Sequence, residues 1–264
     1  MVSPKRASAK VVDIRGGGSD DFPDDLKIFF LEPSVPFPFA PGQYCTIGLE
    51  GIERPYSIVS APHEPYLELF IELIPKEFRI GKVLTPLLWQ LQTGDCVTLR
   101  PKAKGTFTLA PEYDTQVFGS TVAGIAPTVS MIRARRAGYY QRDWPRRWFI
   151  FHGASYCDEF GGYAPELLRY QSEGLIIYRP TVSRPAEERN KEWRGLTGRV
   201  NNIMIDELRH WGIMPDGKTV CYLCGNEGMI RNLGNKKITP AYPSLGKLLL
   251  FGFDVKDIKE EMFF

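Results

Sequence analysis

A small antiparallel β-barrel followed by an α/β domain built on a parallel sheet is the fold class this sequence predicts, and two rhythms in the chain predict it. Between residues 26 and 99, short runs rich in β-branched and aromatic residues (26–31, 43–49, 56–60, 66–74 and 96–99) are separated by Pro and Gly, which is the spacing of a barrel. From about residue 115, apolar strand-like runs (117–122, 148–151, 175–178 and 219–223) alternate with helix-like segments (127–136, 165–170, 200–211 and 227–233). Such alternation is the signature of a parallel sheet with helices on its faces. The expected division is a mobile arm over 1–24, a barrel over 25–112 and an α/β domain over 113–264.

Composition agrees with two ordinary domains. The 264 residues are 43% hydrophobic and 24% charged, as in soluble globular chains. A net charge of +2 lacks the concentrated basic field of a nucleic-acid binder. No apolar run approaches the roughly 18 residues of a membrane helix, and the first ten residues carry positive charge without an apolar core. A cytoplasmic protein with no membrane or nucleic-acid partner is therefore expected. The five cysteines, at 45, 96, 157, 221 and 224, are odd in number and scattered, which fits a reducing compartment. Cys221-x-x-Cys224 lies in a strand-like apolar run where residues three apart face opposite sides, so a redox pair is not expected. The three histidines (His63, His152, His210) lack ligand spacing to each other or to cysteine, and each is read as a surface or core imidazole.

Taken in order, residues 1–24 mix Lys, Arg, Ser and Asp with Gly16-Gly17-Gly18 and offer little to bury. Pro41-Gly42-Gln43-Tyr44 is a turn feeding a strand. In Arg54-Pro55-Tyr56-Ser57-Ile58-Val59-Ser60, a guanidinium fork suited to phosphate, an aromatic face and two hydroxyls meet inside an apolar run. The stretch suits a flat anionic cofactor, or else simply a barrel strand with a Glu53–Arg54 surface pair. In Leu67-Glu68-Leu69-Phe70-Ile71-Glu72-Leu73, Glu68, Phe70 and Glu72 share one strand face. Gly81-Lys82-Val83-Leu84-Thr85 places a glycine at the mouth of a short helix, where unpaired N–H groups can hold an anion. Thr85 there either contacts a phosphate or caps the turn.

In a parallel sheet, ligands lie beyond the carboxyl ends of the strands. Those ends carry Ala123-Gly124-Ile125-Ala126-Pro127, Gly153-Ala154-Ser155, Thr181-Val182-Ser183-Arg184 and Gly225-Asn226-Glu227, where small residues let a ligand approach the backbone. There is no Gly-x-Gly-x-x-Gly, and Thr121 to Pro127 reads equally as a tight turn before a helix. Arg184, Arg189 and Arg199 form a basic group near a strand end that suits an additional nucleotide phosphate. Arg189, in a polar loop with Glu187 and Glu188, is alternatively paired there.

Together these pieces resemble the ferredoxin–NADP reductase family. Arg54-Pro55-Tyr56-Ser57 resembles its flavin-binding Arg-x-Tyr-Ser, residues 81–85 its flavin-diphosphate segment, and residues 121–127 its Gly-x-Gly-x-x-Pro nucleotide hinge. Thr181-Val182-Ser183-Arg184 and Tyr222-Leu223-Cys224-Gly225-Asn226 are similar to its later nucleotide motifs, and the five follow in the family's order from about residue 25 onward. The resemblance implies a barrel that holds FAD and an α/β domain that binds NADP(H). By the same resemblance, Arg54 with Gly81, Lys82, Val83, Leu84 and Thr85 binds the FAD diphosphate, Tyr56 stacks by the isoalloxazine and Ser57 hydrogen-bonds near flavin N5. Gly124, Pro127, Gly225 and Asn226 seat the pyridine nucleotide, Ser183, Arg184 and Arg189 take its 2′-phosphate, and Cys224 lies beside the nicotinamide carbon that gives up hydride. Phe264, or else Phe263, covers the flavin. Two departures stand out: Val122 occupies the place of the hinge's first glycine, putting a Cβ in space the nucleotide diphosphate uses, and Ala123 replaces a frequent threonine.

The implied activity is hydride transfer between NADPH and FAD, followed by single-electron exchange with a ferredoxin or flavodoxin. With no iron–sulfur ligand set in the chain, that carrier is a separate protein, and Arg79, Lys82, Lys102 and Lys104 are candidates to meet its acidic surface. Two alternatives share the fold: an NADH-dependent reductase component of an oxygenase or a flavin reductase, and a non-catalytic flavin-binding or regulatory subunit, for which Val122 is the main support.

Overall fold

The computed structural model describes residues 7–18, 22–79, 81–140, 147–237, 239 and 246–262. The chain divides into two compact units, Met1–Leu109 with Ala126–Tyr139, and Ala110–Ile125 with Tyr140–Phe264.

The first unit is a nearly closed antiparallel barrel of six strands, β1 (Ala7–Gly16), β2 (Leu26–Pro33), β3 (Tyr44–Leu49), β4 (Ile52–Ser57), β5 (Leu67–Glu72) and β6 (Cys96–Leu99), in the order β4-β3-β6-β1-β2-β5. The two ends of that order meet just past β4, where the Val59 N–H donates to the Glu68 carbonyl at 2.8 Å. Inward side chains, among them Phe29, Leu31, Cys45, Ile47, Ile58, Leu69 and Leu99, fill the interior. The segment read as an arm is in fact, over Ala7–Gly16, an inner strand paired with both β2 and β6. Ala9 and Val11 are fully buried, and the strand is laddered to β6 over residues 7–10 and to β2 over residues 9–16. β4 starts earlier than its apolar run. Glu50 and Gly51 both have positive φ (49° and 80°), and this tight hairpin sets Leu49 against Ile52, so Arg54 and Tyr56 are ladder residues.

A one-turn helix, α1 (Thr85–Leu88), and α2 (Ala126–Arg136) complete this unit. Phe70 and Glu68 are buried, while Glu72 is exposed. Glu68 forms a short ion pair with Arg133 of α2, which also lies 3.4 Å from Glu64, and the Ser130 hydroxyl donates to the Ser60 carbonyl at 2.7 Å.

The second unit is a six-stranded parallel sheet of β7 (Thr115–Thr121), β8 (Arg147–Ala154), β9 (Ile177–Val182), β10 (Leu196–Thr197), β11 (Thr219–Gly225) and β12 (Ile258–Met262), ordered β10-β9-β8-β7-β11-β12. Helices α3 (Tyr163–Ser172), α4 (Val200–His210), α5 (Glu227–Gly234) and α6 (Lys247–Phe251) accompany it. β7 and β11 are buried along almost their whole length; β11 accordingly reads as a near-continuous apolar run, whereas β7 also buries the polar Gln116 and Ser120. Val117, Phe149, Phe151 and Leu223 pack with Met204, Leu208, Ile230 and Leu233 of the helices. Elsewhere in the sheet the Phe118 and Tyr222 rings stack with centroids 4.7 Å apart, and Tyr222 Oη accepts the Ala110 N–H at 2.8 Å. The chain steps outward from β7 through β8, β9 and β10, then returns to the other side of β7 with β11 and β12. The carboxyl ends of β7 and β11 therefore flank the switch point where such sheets take ligands.

Candidate functional site

Arg54 and Tyr56 are two apart on β4, opposite Ile47 and Cys45, and so share a face. The exposed Arg54 guanidinium donates to the carbonyls of Glu53 and Lys82, each at 2.8 Å. That second bond joins β4 to the segment at 81–85, bringing together two stretches separated in sequence. A Glu53–Arg54 surface pair is ruled out: the Glu53 carboxylate instead takes the Arg100 guanidinium, at 2.7 and 3.0 Å. Tyr56 is half-buried, and burial pushes its phenol well above the usual range, so it stays neutral. Ser57 is buried, with its backbone paired to Tyr44.

The neighbouring segment is only partly as expected. Gly81 has φ of +68°, and nothing lies within 4 Å of where a Cβ would stand. Lys82 is exposed and Val83 half-buried, whereas Leu84 points into the barrel core and has only its backbone to offer a ligand. Thr85 does not cap the turn, because the residue before α1 is Leu84 and no side chain caps it. Its buried Oγ1 accepts the Ile74 N–H at 3.2 Å and braces the adjoining loop.

In the α/β unit, the turn at Val122–Ile125 follows β7 directly. Val122 has φ of +41°, a conformation disfavoured for a β-branched residue. Its carbonyl accepts a hydrogen bond from Nε2 of the fully buried His152 at 3.0 Å, and Nδ1 of His152 lies 3.1 Å from the Tyr178 hydroxyl. Because a carbonyl can only accept, His152 is the Nε2–H tautomer and Nδ1 accepts from Tyr178. Burial lowers the His152 pKa to about 4, against the opposing pull of the Val122 carbonyl, so the ring is neutral.

The glycines at this end of the sheet were expected to let a ligand approach the backbone; two of them also let the ends of β7 and β11 approach each other. A Cβ on Gly124 would stand 2.3 Å from the Cys224 carbonyl oxygen, and one on Gly225 would stand 2.3 Å from Thr121 Oγ1. Thr121 Oγ1 also accepts the Asn226 N–H at 2.9 Å, clasping the ends of β7 and β11. The Asn226 side chain caps α5 through the Gly228 N–H at 2.7 Å. Pro127 lies buried in the first turn of α2, where its missing N–H costs nothing.

Ser183 and Arg184, just past β9, are exposed. Arg184 donates to the Tyr156 hydroxyl at 2.8 Å and lies 3.6 Å from Glu187. Arg189 lies over the Tyr156 ring at 3.8 Å from its centroid, and the Arg184 guanidinium lies 5.4 Å from the same centroid. Arg189 is ion-paired, but with Asp158 at 2.7 and 3.0 Å rather than with Glu187 or Glu188. Glu187 takes the Tyr156 hydroxyl, and Glu188 takes Lys191. The buried Asn190 holds the loops together, donating to the Ser155 and Arg184 carbonyls at 2.9 Å and accepting the Cys157 N–H at 2.8 Å. Sequence reasoning missed Tyr156, Tyr178 and Asn190 and left His152 without a role. Only Tyr156 carried a signal, an aromatic directly after Gly153-Ala154-Ser155 at a strand end.

Cys224, at the end of β11, is 1% exposed. Burial, with a contribution from Glu261, holds its thiol well above the usual range. Cys221 belongs to the helix-side core, and both are free thiols, in line with opposite strand faces. β12 ends at Met262 opposite Gly225, and Phe263 and Phe264 lie outside the described residues. Among the described residues, no helix is long and apolar enough to cross a membrane.

Residues 121–234 match the family described as the oxidoreductase NAD-binding domain. Over 217 residues the chain is 30% identical to the flavodoxin/ferredoxin–NADP reductase of Escherichia coli (strain K12), spanning 78% of this chain and 82% of that protein. A solved ferredoxin NADP+ reductase from Neisseria gonorrhoeae, with bound FAD and NADP, is 26% identical and superposes with a TM-score of 0.75 over 99% of this chain and 100% of that one. The ferredoxin reductase in carbazole 1,9a-dioxygenase shares the fold alone, at 20% identity and a TM-score of 0.71, over 98% of this chain and 70% of that one.

Proposed function

Since the chain belongs to the flavodoxin/ferredoxin–NADP reductase family of oxidoreductases, we propose that it binds FAD and carries electrons between NADPH and a ferredoxin or flavodoxin in the cytoplasm. The bond from Arg54 to the Lys82 carbonyl carries this reading, because it gathers the Arg-x-Tyr-Ser strand and the 81–85 segment into one cradle. Beside the exposed guanidinium, the open ground at Gly81 leaves room for a diphosphate. Arg54 and the backbone of Gly81, Lys82, Val83, Leu84 and Thr85 hold that diphosphate, Tyr56 offers its ring face, and Ser57 supplies a small donor near N5. A bound flavin supplies a two-electron acceptor that releases its electrons singly.

On the nucleotide side, Ser183, Arg184 and Arg189, both arginines in contact with Tyr156, bind the 2′-phosphate of NADPH. Gly124, Gly225 and Asn226 belong to the backbone seat at the switch point. Cys224 remains a neutral thiol, so it packs beside the nicotinamide and excludes water rather than moving a proton. Phe264 is the ring proposed to shield the flavin. For the acidic carrier, the exposed Lys82, Lys102 and Lys104 form the docking charges. Arg79 contributes less, because its Nε is committed to the Ile74 carbonyl at 2.9 Å.

Visible spectroscopy of the purified protein tests the proposal. A yellow protein that NADPH bleaches anaerobically, faster than NADH does, and that loses its colour on gel filtration once Arg54→Ala is introduced is the expected result. A colourless protein, or a yellow one that neither nucleotide bleaches, overturns it, and faster bleaching by NADH favours the oxygenase-reductase alternative.

A further inference from the structure

Val122 stands in a backbone conformation that glycine adopts freely and a β-branched residue resists. Two contacts offset that resistance. Its side chain is half-buried against the cluster of Ala154, Phe160 and Val182, and its carbonyl accepts the His152 Nε2–H at 3.0 Å. The imidazole has little freedom of its own. Phe160 meets it edge-on with centroids 4.8 Å apart, and the Tyr178 hydroxyl holds Nδ1 from the other side. Downstream of Val122 the turn has no slack, because Gly124 is already seated against the Cys224 carbonyl. A change of φ at Val122 would therefore displace the backbone N–H groups at the switch point.

We propose that His152 is a positioning residue for the pyridine nucleotide: through the Val122 carbonyl it holds the hinge in a left-handed turn that glycine would adopt unaided. This rests on reading the hinge as the NADP(H) seat. His152 is fully buried. It acts through the backbone, and the protein thereby tolerates valine where the turn asks for glycine.

A role in core filling alone would make the effect of replacing His152 independent of residue 122, and that separates the two cases. NADP+ is titrated calorimetrically into the wild-type protein, His152→Phe, Val122→Gly and the double variant. With Val122 present, His152→Phe is expected to raise the NADP+ Kd about tenfold, as the loss of one hydrogen bond holding a disfavoured conformer implies. In the Val122→Gly background the same substitution is expected to change Kd less than about twofold, since glycine needs no such hold. Melting temperature should fall with His152→Phe in both backgrounds, because both leave the hinge carbonyl without its imidazole donor. If His152→Phe does not fold, His152→Leu, which likewise lacks a donor, replaces it with the same expected and overturning results; His152→Gln, whose amide nitrogen can still donate to the Val122 carbonyl, serves as the rescue control and is expected to keep Kd within about threefold of wild type. Equal weakening in both backgrounds, or no weakening in either, overturns the inference while the nucleotide reading stands. Failure of the wild-type protein to bind NADP+ overturns that reading and the inference with it.

Discussion

Acidifying the protein should cost it stability through His152 in a way that a single variant isolates. The folded imidazole titrates at about 4 because it is buried, whereas in the unfolded chain it titrates near its ordinary value of 6.5. The unfolded state therefore takes up the proton first. The stability contributed by the neutral ring is fully present above pH 6.5 and is lost progressively as pH falls toward 4. At pH 5 the unfolded imidazole is almost entirely charged and the folded one almost entirely neutral, which costs about 2 kcal/mol relative to pH 7.5. Urea unfolding at both pH values, on the wild-type protein and on His152→Phe, removes the background of other titrating groups by subtraction. The wild-type advantage over the variant should shrink by about 2 kcal/mol between pH 7.5 and pH 5. An advantage that stays constant, or a proton NMR titration placing the His152 midpoint near 6.5, would refute the reasoning, since either means the ring is not held neutral under the hinge.

Other parts of the molecule offer further tests. Glu68→Ala leaves Arg133, whose side chain is 13% exposed, without its carboxylate partner on β5, and should cost about 3 kcal/mol in urea unfolding. Glu64→Ala, at a carboxylate 31% exposed and 3.4 Å away, should cost under about 1 kcal/mol, and equal costs would contradict this ranking. Gly124→Ala drives a methyl against the Cys224 carbonyl and should lower stability by about 2 kcal/mol while weakening NADP+ binding, read by calorimetry. Arg184→Ala, at an exposed side chain, should leave the melting temperature unchanged but raise the KM for NADPH about tenfold with that for NADH unaltered. Parallel changes for both coenzymes would remove Arg184 from the 2′-phosphate site.

What the sequence by itself determined was the succession of barrel and parallel sheet, most of the strands and helices, and the stretches where chemistry concentrates. These are signals carried within a few residues: the run at 96–99 became β6 with the same bounds, and the near-continuous apolar run of β11 marks a strand covered on both faces. Arg54-x-Tyr56-Ser57 was legible for the same reason, since residues two apart on a strand share a face. Tertiary structure alone decided that residues 7–16 are an inner strand, because Ala9 and Val11 gain their burial from neighbours far along the chain. It also decided that Arg54 reaches Lys82, that Thr85 braces Ile74, and that Arg189 pairs with Asp158 rather than with its loop neighbours. The hold of His152 on Val122 is the sharpest case. The imidazole and the carbonyl are 30 residues apart in sequence, and nothing local marks either as a partner. A buried hydrogen bond is selected by which groups folding strips of water together, and that is a property of the packed chain, not of any window along it.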